Sequence, residues 1–399
     1  MEHTIPKGFR MAGVHSGVKS KPEKQDLSLF VSDRPCVASG VFTQNIVHGA
    51  PVRLNRERTP GESIRGVVVN SGVANACTGE QGYRDTVEMA RLTGEAIGCD
   101  AADVLVMSTG IIGTMLPMEK IAAGIQDASK QLSDSPDALT AAARGMMTTD
   151  TVHKVRSKEF EADGVQTRIT GVTKGAAMIG PNMATMLGVV MTDACLTVED
   201  AAELIRDAAD ESFNCISVDG HTSTSDTVLL LANGAASSGS QPLADRGLAQ
   251  FRATLVEVCE DLAQSIPADG EGASHLITVE VHGCRTRGDA VTIARTVADS
   301  PLVKTAVAGA DPNWGRIVSA AGYAGVPFDP KGVCLYLNEH LLYERGAPVP
   351  FDEQAVSESI AQNRDTSIVL LIGEGGDSAR FWTTDLTAEY VRLNADYTT

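Results

Sequence analysis

The segment Lys174–Leu187 reads KGAAMIGPNMATML, and the run TMLGVVMT over Thr185–Thr192 overlaps its end. Two glycines and a proline interrupt any helix here, because these are the weakest helix formers. The apolar and β-branched residues from Thr185 onward suit a buried strand instead. The segment therefore predicts a buried loop that feeds a strand.

Short apolar strands alternate with amphipathic helical stripes on both sides of this segment. Strands are predicted at Arg65–Asn70, Asp103–Ser108, Asp226–Asn233, Leu276–Gly283, Val333–Asn338 and Ser367–Gly373. Helices are predicted over 83–97, 118–132, 198–213 and 242–266. We expect Thr109-Gly110 to stop the second of these strands. The alternation predicts an α/β chain with helices between the strands.

Charge and composition exclude several classes of protein. The 399 residues carry 33 basic and 51 acidic side chains, a formal net charge of −18. Such an acidic chain would repel phosphate backbones and anionic lipid, so we expect neither a nucleic-acid nor a membrane partner. Hydrophobic residues make up 43% and charged residues 21%, which is typical of a globular protein.

Targeting, metal and nucleotide signals are absent from the sequence. No window reaches the run of about 18 apolar residues that a membrane span needs, and Met1–Arg10 lacks a signal-peptide core, so we expect a cytoplasmic protein. The eight cysteines form no Cys-x-x-Cys pair, which favours buried reduced thiols, Cys77 included, and no metal site. Gly-Lys, Gly-x-Gly-x-x-Gly and Gly-x-Ser-x-Gly do not occur, so no nucleotide loop or ordinary serine nucleophile is indicated.

The pair Ala184-Thr185 has a chemical interpretation beside the purely structural one. A threonine after a small residue and a rigid turn could attack the preceding carbonyl in an N-to-O acyl shift, and hydrolysis of the ester would make Thr185 a new N-terminus. A freed threonine carries a nucleophilic hydroxyl and an α-amine of pKa about 7.7–8.0, so it supplies its own base.

Seven further short motifs lie along the chain, before and after Lys174–Leu187. They are Asn70–Gly79 (NSGVANACTG), Ser108–Gly113 (STGIIG), Met147–Thr151 (MTTDT), Thr222–Thr227 (TSTSDT), Asp269–Gly272 (DGEG), Asp311–Arg316 (DPNWGR) and Leu393–Thr399 (LNADYTT). Together with KGAAMIGPNMATML, they resemble, in order and over essentially the whole chain, the ornithine acetyltransferase family, the glutamate N-acetyltransferases of arginine biosynthesis. The resemblance implies a layered α/β sandwich with an N-terminal threonine nucleophile.

The resemblance also implies roles for individual residues. Thr185 matches the nucleophile, Ala184-Thr185 the cleaved bond, and Thr109 and Gly110 the pair that stabilises the oxyanion. Matches to substrate contacts are Thr148, Lys174, Thr185, Glu271, Asn394 and Thr399. A lysine can hold a carboxylate as a point charge, and a glutamate can hold an amine. We expect the tail Leu393–Thr399 to fold back and line the pocket that contains Thr185.

The implied reaction is a ping-pong acetyl transfer from N²-acetylornithine to glutamate through acetyl-Thr185. It implies no metal or organic cofactor; some family members also accept acetyl-CoA as a co-substrate, and the residues do not decide this. The implied assembly is a heterotetramer of two copies each of fragments 1–184 and 185–399, folded together as one catalytic unit. Alternatives are an amidohydrolase or aminopeptidase that uses water, an acetyltransferase of specialised metabolism with another amino-acid pair, or a non-catalytic binding protein.

Overall fold

The computed structural model describes residues 3–180, 186–237 and 241–396. The strands in these ranges are β1 (Phe9–Val14), β2 (Leu27–Phe42), β3 (Gly61–Val73), β4 (Val104–Ile111), β5 (Lys154–Ala162), β6 (Val165–Lys174), β7 (Leu187–Thr192), β8 (Thr227–Ala232), β9 (Leu276–Cys284), β10 (Cys334–Leu337), β11 (His340–Glu344), β12 (Ala347–Pro348), β13 (Asp365–Leu371) and β14 (Asp377–Thr384). The helices are α1 (Ala50–Arg58), α2 (Gly79–Ile97), α3 (Met118–Lys130), α4 (Pro136–Met146), α5 (Val198–Glu211), α6 (Asp245–Ala268), α7 (Arg287–Ala298), α8 (Pro301–Ala308), α9 (Trp314–Gly322), α10 (Glu353–Ala361) and α11 (Ala388–Asp396).

The first sheet has the strand order β4-β3-β2-β8-β7-β6-β5, with β1 beside β2. Strand β2 is 16 residues long and joins two parts of this sheet. Its first part pairs with β1, and its part from Val37 onward pairs with β8. Strands β7 and β8 follow Thr185 in the chain, whereas the other six precede it. The sheet therefore takes strands from both of the predicted fragments.

The second sheet is built from the last third of the chain, in the order β12-β11-β10-β13-β9-β14. Strands β9 and β13 run parallel, and the remaining pairs are antiparallel. Helix α7 packs on β9 and β14. This sheet shares one apolar core with helices α5 and α6, which also pack against the first sheet.

Alternation along the strands separates the layers, because successive side chains point to opposite faces of a sheet. In β3, Val67 and Val69 enter a core that also holds Val189 of β7, whereas Val68 packs in another core with residues of α2 and α3. In β7, Val190 faces the core formed with α5, α6 and the second sheet. This confirms the predicted layered α/β fold.

Two local predictions are wrong. Thr109-Gly110 does not stop the strand, because β4 continues to Ile111 through an irregular register opposite Val73. Cys77 is not buried: it lies in the turn before α2 at a positive φ of 57°, with its side chain exposed. All eight cysteines are free thiols, but only Cys36, Cys215, Cys259 and Cys284 are buried, so the expected burial holds for half of them. No helix in the part of the chain that the structure describes is both long and apolar enough to span a bilayer.

Candidate active site

The ends of three neighbouring strands of the first sheet, β6, β7 and β8, lie side by side. Strand β6 is antiparallel to β7, and its last residue, Lys174, lies opposite Leu187, the first residue of β7. Strand β8 is parallel to β7, so that Leu187 also pairs with Thr227. The segment that contains the predicted cleavage site connects the end of β6 to the start of β7. Ala184, Thr185 and Thr399 themselves lie outside the described residues.

Asp226 anchors the start of β7. Its Oδ1 atom accepts a hydrogen bond from the backbone N–H of Met186, the residue after Thr185, at 3.1 Å. The side chain is fully buried, and its Oδ2 atom has no hydrogen-bond partner among residues 3–180, 186–237 and 241–396. Burial raises the pKa of Asp226 well above its usual value, although the Met186 N–H and the ammonium of Lys174 stabilise the anion. A buried carboxyl group with a raised pKa therefore binds the backbone of the residue that follows the predicted nucleophile in the chain.

Thr109 and Gly110 lie near the end of β4, where Gly110 pairs with Gly72 of β3. Both glycines have positive φ, 131° at Gly110 and 112° at Gly72. A Cβ atom at Gly110 would come within 2.3 Å of the Gly72 carbonyl carbon, so only glycine fits there. An irregular strand end of this kind can direct a hydroxyl and a backbone N–H at one point, which is what an oxyanion site needs. The role of the pair stays a prediction.

Lys174 places a buried ammonium at the end of β6. Its side chain is 2% exposed, and Nζ donates a hydrogen bond to Thr148 Oγ1 at 3.2 Å. No ion pair joins it to a carboxylate among the described residues. Burial lowers the pKa of Lys174, whereas the charges of Asp150 and Asp226 oppose that effect. Such a cation is well placed to receive a carboxylate.

A buried ion network lies next to Lys174 and Thr148 and binds the backbone beside them. Lys154 Nζ lies 2.7 Å from Asp150 Oδ1 and 2.6 Å from Asp269 Oδ2, and all three side chains are buried. Asp150 also accepts the N–H of Gly175 at 2.7 Å and that of Thr148 at 3.0 Å. Although burial opposes ionisation, the nearby lysine charges lower the pKa of Asp150 to about 2. The network fixes the backbone on both sides of the Lys174–Thr148 contact.

The C-terminal helix reaches the same region. Asn394 of α11 donates from Nδ2 to Glu271 Oε2 at 3.0 Å, and the Glu271 N–H donates to the Ala176 carbonyl at 2.9 Å. Gly272 lies so close to the helix that a Cβ atom there would come within 2.5 Å of the Tyr390 nitrogen. The described part of the tail therefore folds back onto Glu271. Its position relative to Thr185 stays a prediction.

Hydrogen bonds connect the segments around the site to one another. Ser71 Oγ, next to Gly72, donates to the carbonyl of Gly145 at 2.6 Å, just before the segment that holds Thr148. The N–H of Gly49 donates to the Thr224 carbonyl at 2.8 Å, and that of Ala50 to the Asn75 carbonyl at 3.1 Å. The β3–β4 ends, the 145–150 segment and the residues before Asp226 thus surround one region.

Sequence reasoning missed the buried ion network. Asp150 and Lys154 lie four residues apart, and Asp269 is two residues before Glu271. This proximity to predicted substrate contacts is the one signal of the network in the sequence. It does not predict burial, because charged residues near turns are usually exposed. The sequence pattern places Asp226 only at the start of a strand and gives no sign of its buried carboxylate.

Comparison with known proteins identifies the family of the chain. The ArgJ family model matches residues 10–399. The arginine biosynthesis bifunctional protein ArgJ of Rhodopirellula baltica is 46% identical over 398 residues, covering 100% of this chain and 97% of that protein. Its counterpart from Dehalococcoides mccartyi is 44% identical over 99% of this chain and 97% of its own length.

A solved structure is also similar in sequence. The crystal structure of arginine biosynthesis bifunctional protein argJ from Bacillus halodurans is 37% identical, with a TM-score of 0.43 over 45% of this chain and 92% of that one. The resemblance predicted from the sequence motifs is confirmed by the match over nearly the full length and by relatives above 40% identity. The chain belongs to the ArgJ family.

Proposed function

We propose that this chain is a self-cleaving acyltransferase of arginine biosynthesis. It moves the acetyl group of N²-acetylornithine to glutamate through an acetyl-Thr185 intermediate. Family membership over residues 10–399 supports this function, and relatives more than 40% identical are named as bifunctional proteins of arginine biosynthesis.

One observation carries the proposal within the site. Four predicted substrate contacts come from four separate segments and lie near one another. Thr148 bonds to Lys174, and Glu271 bonds to Asn394. The two pairs are joined by the Glu271 N–H, which donates to the carbonyl of Ala176, two residues after Lys174. A buried ammonium and a carboxylate in one group suit an amino acid, which carries both charges. The group lies next to the connection between β6 and β7, in which Met186 is the second residue of the predicted fragment 185–399.

The proposed chemistry proceeds in two half-reactions. The Thr185 hydroxyl attacks the acetyl carbonyl of N²-acetylornithine and gives its proton to the Thr185 α-amine, while Thr109 and the Gly110 N–H stabilise the oxyanion. The C–N bond then breaks, the leaving amine takes that proton, and ornithine departs. The α-amine of glutamate attacks acetyl-Thr185 in the same way, which restores the hydroxyl and releases N-acetylglutamate.

The proposal includes assembly and location. Cleavage between Ala184 and Thr185 gives fragments 1–184 and 185–399, which stay together as a heterotetramer of two copies each. In support, the first sheet takes strands from both sides of the cut. The enzyme acts on small molecules in the cytoplasm, in keeping with its eight free thiols. It needs no metal or organic cofactor, because the chain supplies the nucleophile, and acetyl-CoA enters only as a second acetyl donor to be tested.

The purified protein tests this function directly. We expect two bands on a denaturing gel, a second fragment that begins Thr-Met-Leu-Gly, and ornithine release from acetylornithine that glutamate accelerates. Thr185→Ala should stay a single inactive chain, whereas Thr305→Ala, at an exposed site on α8, should cleave and react like the wild type. Release that is independent of glutamate would instead indicate the hydrolase alternative, and a parallel assay with acetyl-CoA tests the second donor.

A further inference from the structure

A second lysine, far from Lys174 in sequence, bonds to the residue next to Thr148. Lys19 belongs to the loop between β1 and β2, and its Nζ donates to the carbonyl oxygens of Met147 at 2.7 Å and Gln25 at 2.8 Å. Met147 directly precedes Thr148, whose hydroxyl accepts the hydrogen bond from Lys174. The two ammonium groups therefore bond to adjacent residues of one segment.

The position of Lys19 is fixed by a buried carboxylate. Asp26 Oδ2 accepts the backbone N–H of Lys19 at 2.9 Å, and Oδ1 accepts the N–H of Ser16 at 2.6 Å and its hydroxyl at 2.8 Å. Asp26 is 0% exposed. The carboxylate therefore holds the backbone of the loop and does not pair with the Lys19 ammonium.

The stem of Lys19 also packs against the strand end that carries the predicted oxyanion pair. A Cβ atom placed on Gly72 would lie 3.4 Å from Lys19 Cγ, and Gly72 pairs with Gly110. Lys19 thus lies between the Thr109–Gly110 strand end and the Lys174–Thr148 contact.

One donor of this ammonium has no partner among the residues that the structure describes. A lysine has three donors, and two of them bond to neutral carbonyl oxygens. Lys19 makes no ion pair within residues 3–180, 186–237 and 241–396. Burial lowers the pKa of Lys19 to about 8; Lys24 and Lys174 add to this effect, whereas Asp26 and Asp150 oppose it. Binding of an anion would relieve the cost of holding this charge away from water.

The proposed function calls for such a cation in only one half-reaction. Acetylornithine and glutamate each carry an α-carboxylate, for which Lys174 is suited. Their side chains end in opposite charges, an ammonium in ornithine and a second carboxylate in glutamate. The acceptor therefore needs one more positive group than the donor, separated from the first by a short carbon chain.

We propose that Lys19 determines acceptor specificity by binding the side-chain carboxylate of glutamate. The inference rests on the proposed function, since it assigns a binding partner to the second substrate of that reaction. It predicts that removal of the Lys19 charge lowers the preference for an acceptor with two carboxylates.

The test compares glutamate with glutamine, its uncharged equivalent in shape. In Lys19→Met, the ratio of kcat/KM for glutamate to that for glutamine should fall by about 10- to 100-fold, because a hydrogen bond to a charged group is lost. Lys19→Gln, which can still donate to the two carbonyl oxygens, should show the same fall. Lys19→Arg should restore much of the ratio. Lys24→Met removes the same charge from an exposed position in the same loop and should leave the ratio unchanged.

The outcomes separate this inference from the function it rests on. If wild-type protein transfers no acetyl group to glutamate, the proposed function fails and the inference fails with it. If the wild type is active but the ratio in Lys19→Met and Lys19→Gln stays at the wild-type value, only the inference is overturned. A lower melting temperature with an unchanged ratio would show that Lys19 merely ties its loop to Met147.

Discussion

The two sides of the candidate site are held by different forces. On one side, Gly72 and Gly110 bring two strand ends together by backbone shape, without a charged side chain. On the other, Lys154 lies between Asp150 and Asp269 in a buried ion network. The neutral side depends on close steric fit, whereas the charged side depends on complete pairing of its charges. Substitutions on the neutral side should therefore mainly lower the reaction rate, and substitutions on the charged side should mainly lower the free energy of unfolding.

The largest expected effect is on the charged side. Lys154→Met leaves two buried carboxylates without their common partner, which should lower the free energy of unfolding by about 3–5 kcal/mol. Urea denaturation measures this loss. The matched control is Lys158→Met on the same strand, where an exposed ion pair with Glu257 is worth about 0–1 kcal/mol. Equal losses in the two variants would contradict the importance assigned to burial.

The next effect is on the neutral side. Thr109→Ala should lower kcat by about 10²–10³-fold, near 2.7–4 kcal/mol of transition-state stabilisation, because one preorganised donor is lost. Thr109→Ser retains a hydroxyl and should keep most of the rate. Both variants should keep the wild-type unfolding free energy within about 1 kcal/mol, since they leave the ion network intact. A change confined to KM would instead indicate a contact with the bound substrate.

Acid provides a smaller and finer comparison. The pKa of Asp150 is lowered from its ordinary value of 3.8 to about 2, so its stabilising contribution is complete above about pH 4 and is lost as pH falls toward 2. The difference in unfolding free energy between wild type and Asp150→Asn should shrink by about 2 kcal/mol between about pH 5 and about pH 2. A difference that does not vary with pH would show that the lysine charges do not stabilise the Asp150 anion.

Much of the fold could be predicted from local patterns. The apolar runs near Val67, Val190 and Leu229 are dense in β-branched or large apolar residues, and each is a strand of the first sheet. Strand β2 escaped prediction because Ser32–Pro35 places polar residues and a proline in its middle. There the pairing irregularity between Val31 and Cys36 accommodates residues that would normally end a strand. Long-range pairing of this kind leaves no local pattern.

The site was predictable only where a motif marks it. The group formed by Thr148, Lys174, Glu271 and Asn394 was predicted from the family resemblance, and the structure brings these four residues together. The ion network behind them could not be recognised, because a buried lysine and an exposed one look the same in a sequence. Their difference arises from partners more than one hundred residues away, such as Asp269 for Lys154.

The antiparallel pairing of β6 and β7 has a consequence for how the protein would mature. Six residue pairs, from Ile169–Thr192 to Lys174–Leu187, join these strands. A cut at Ala184-Thr185 falls in the connection between them, so it would turn a hairpin into a nicked hairpin with both strands still in register. Activation would then require no refolding, and the two polypeptides would separate only when the whole sheet unfolds.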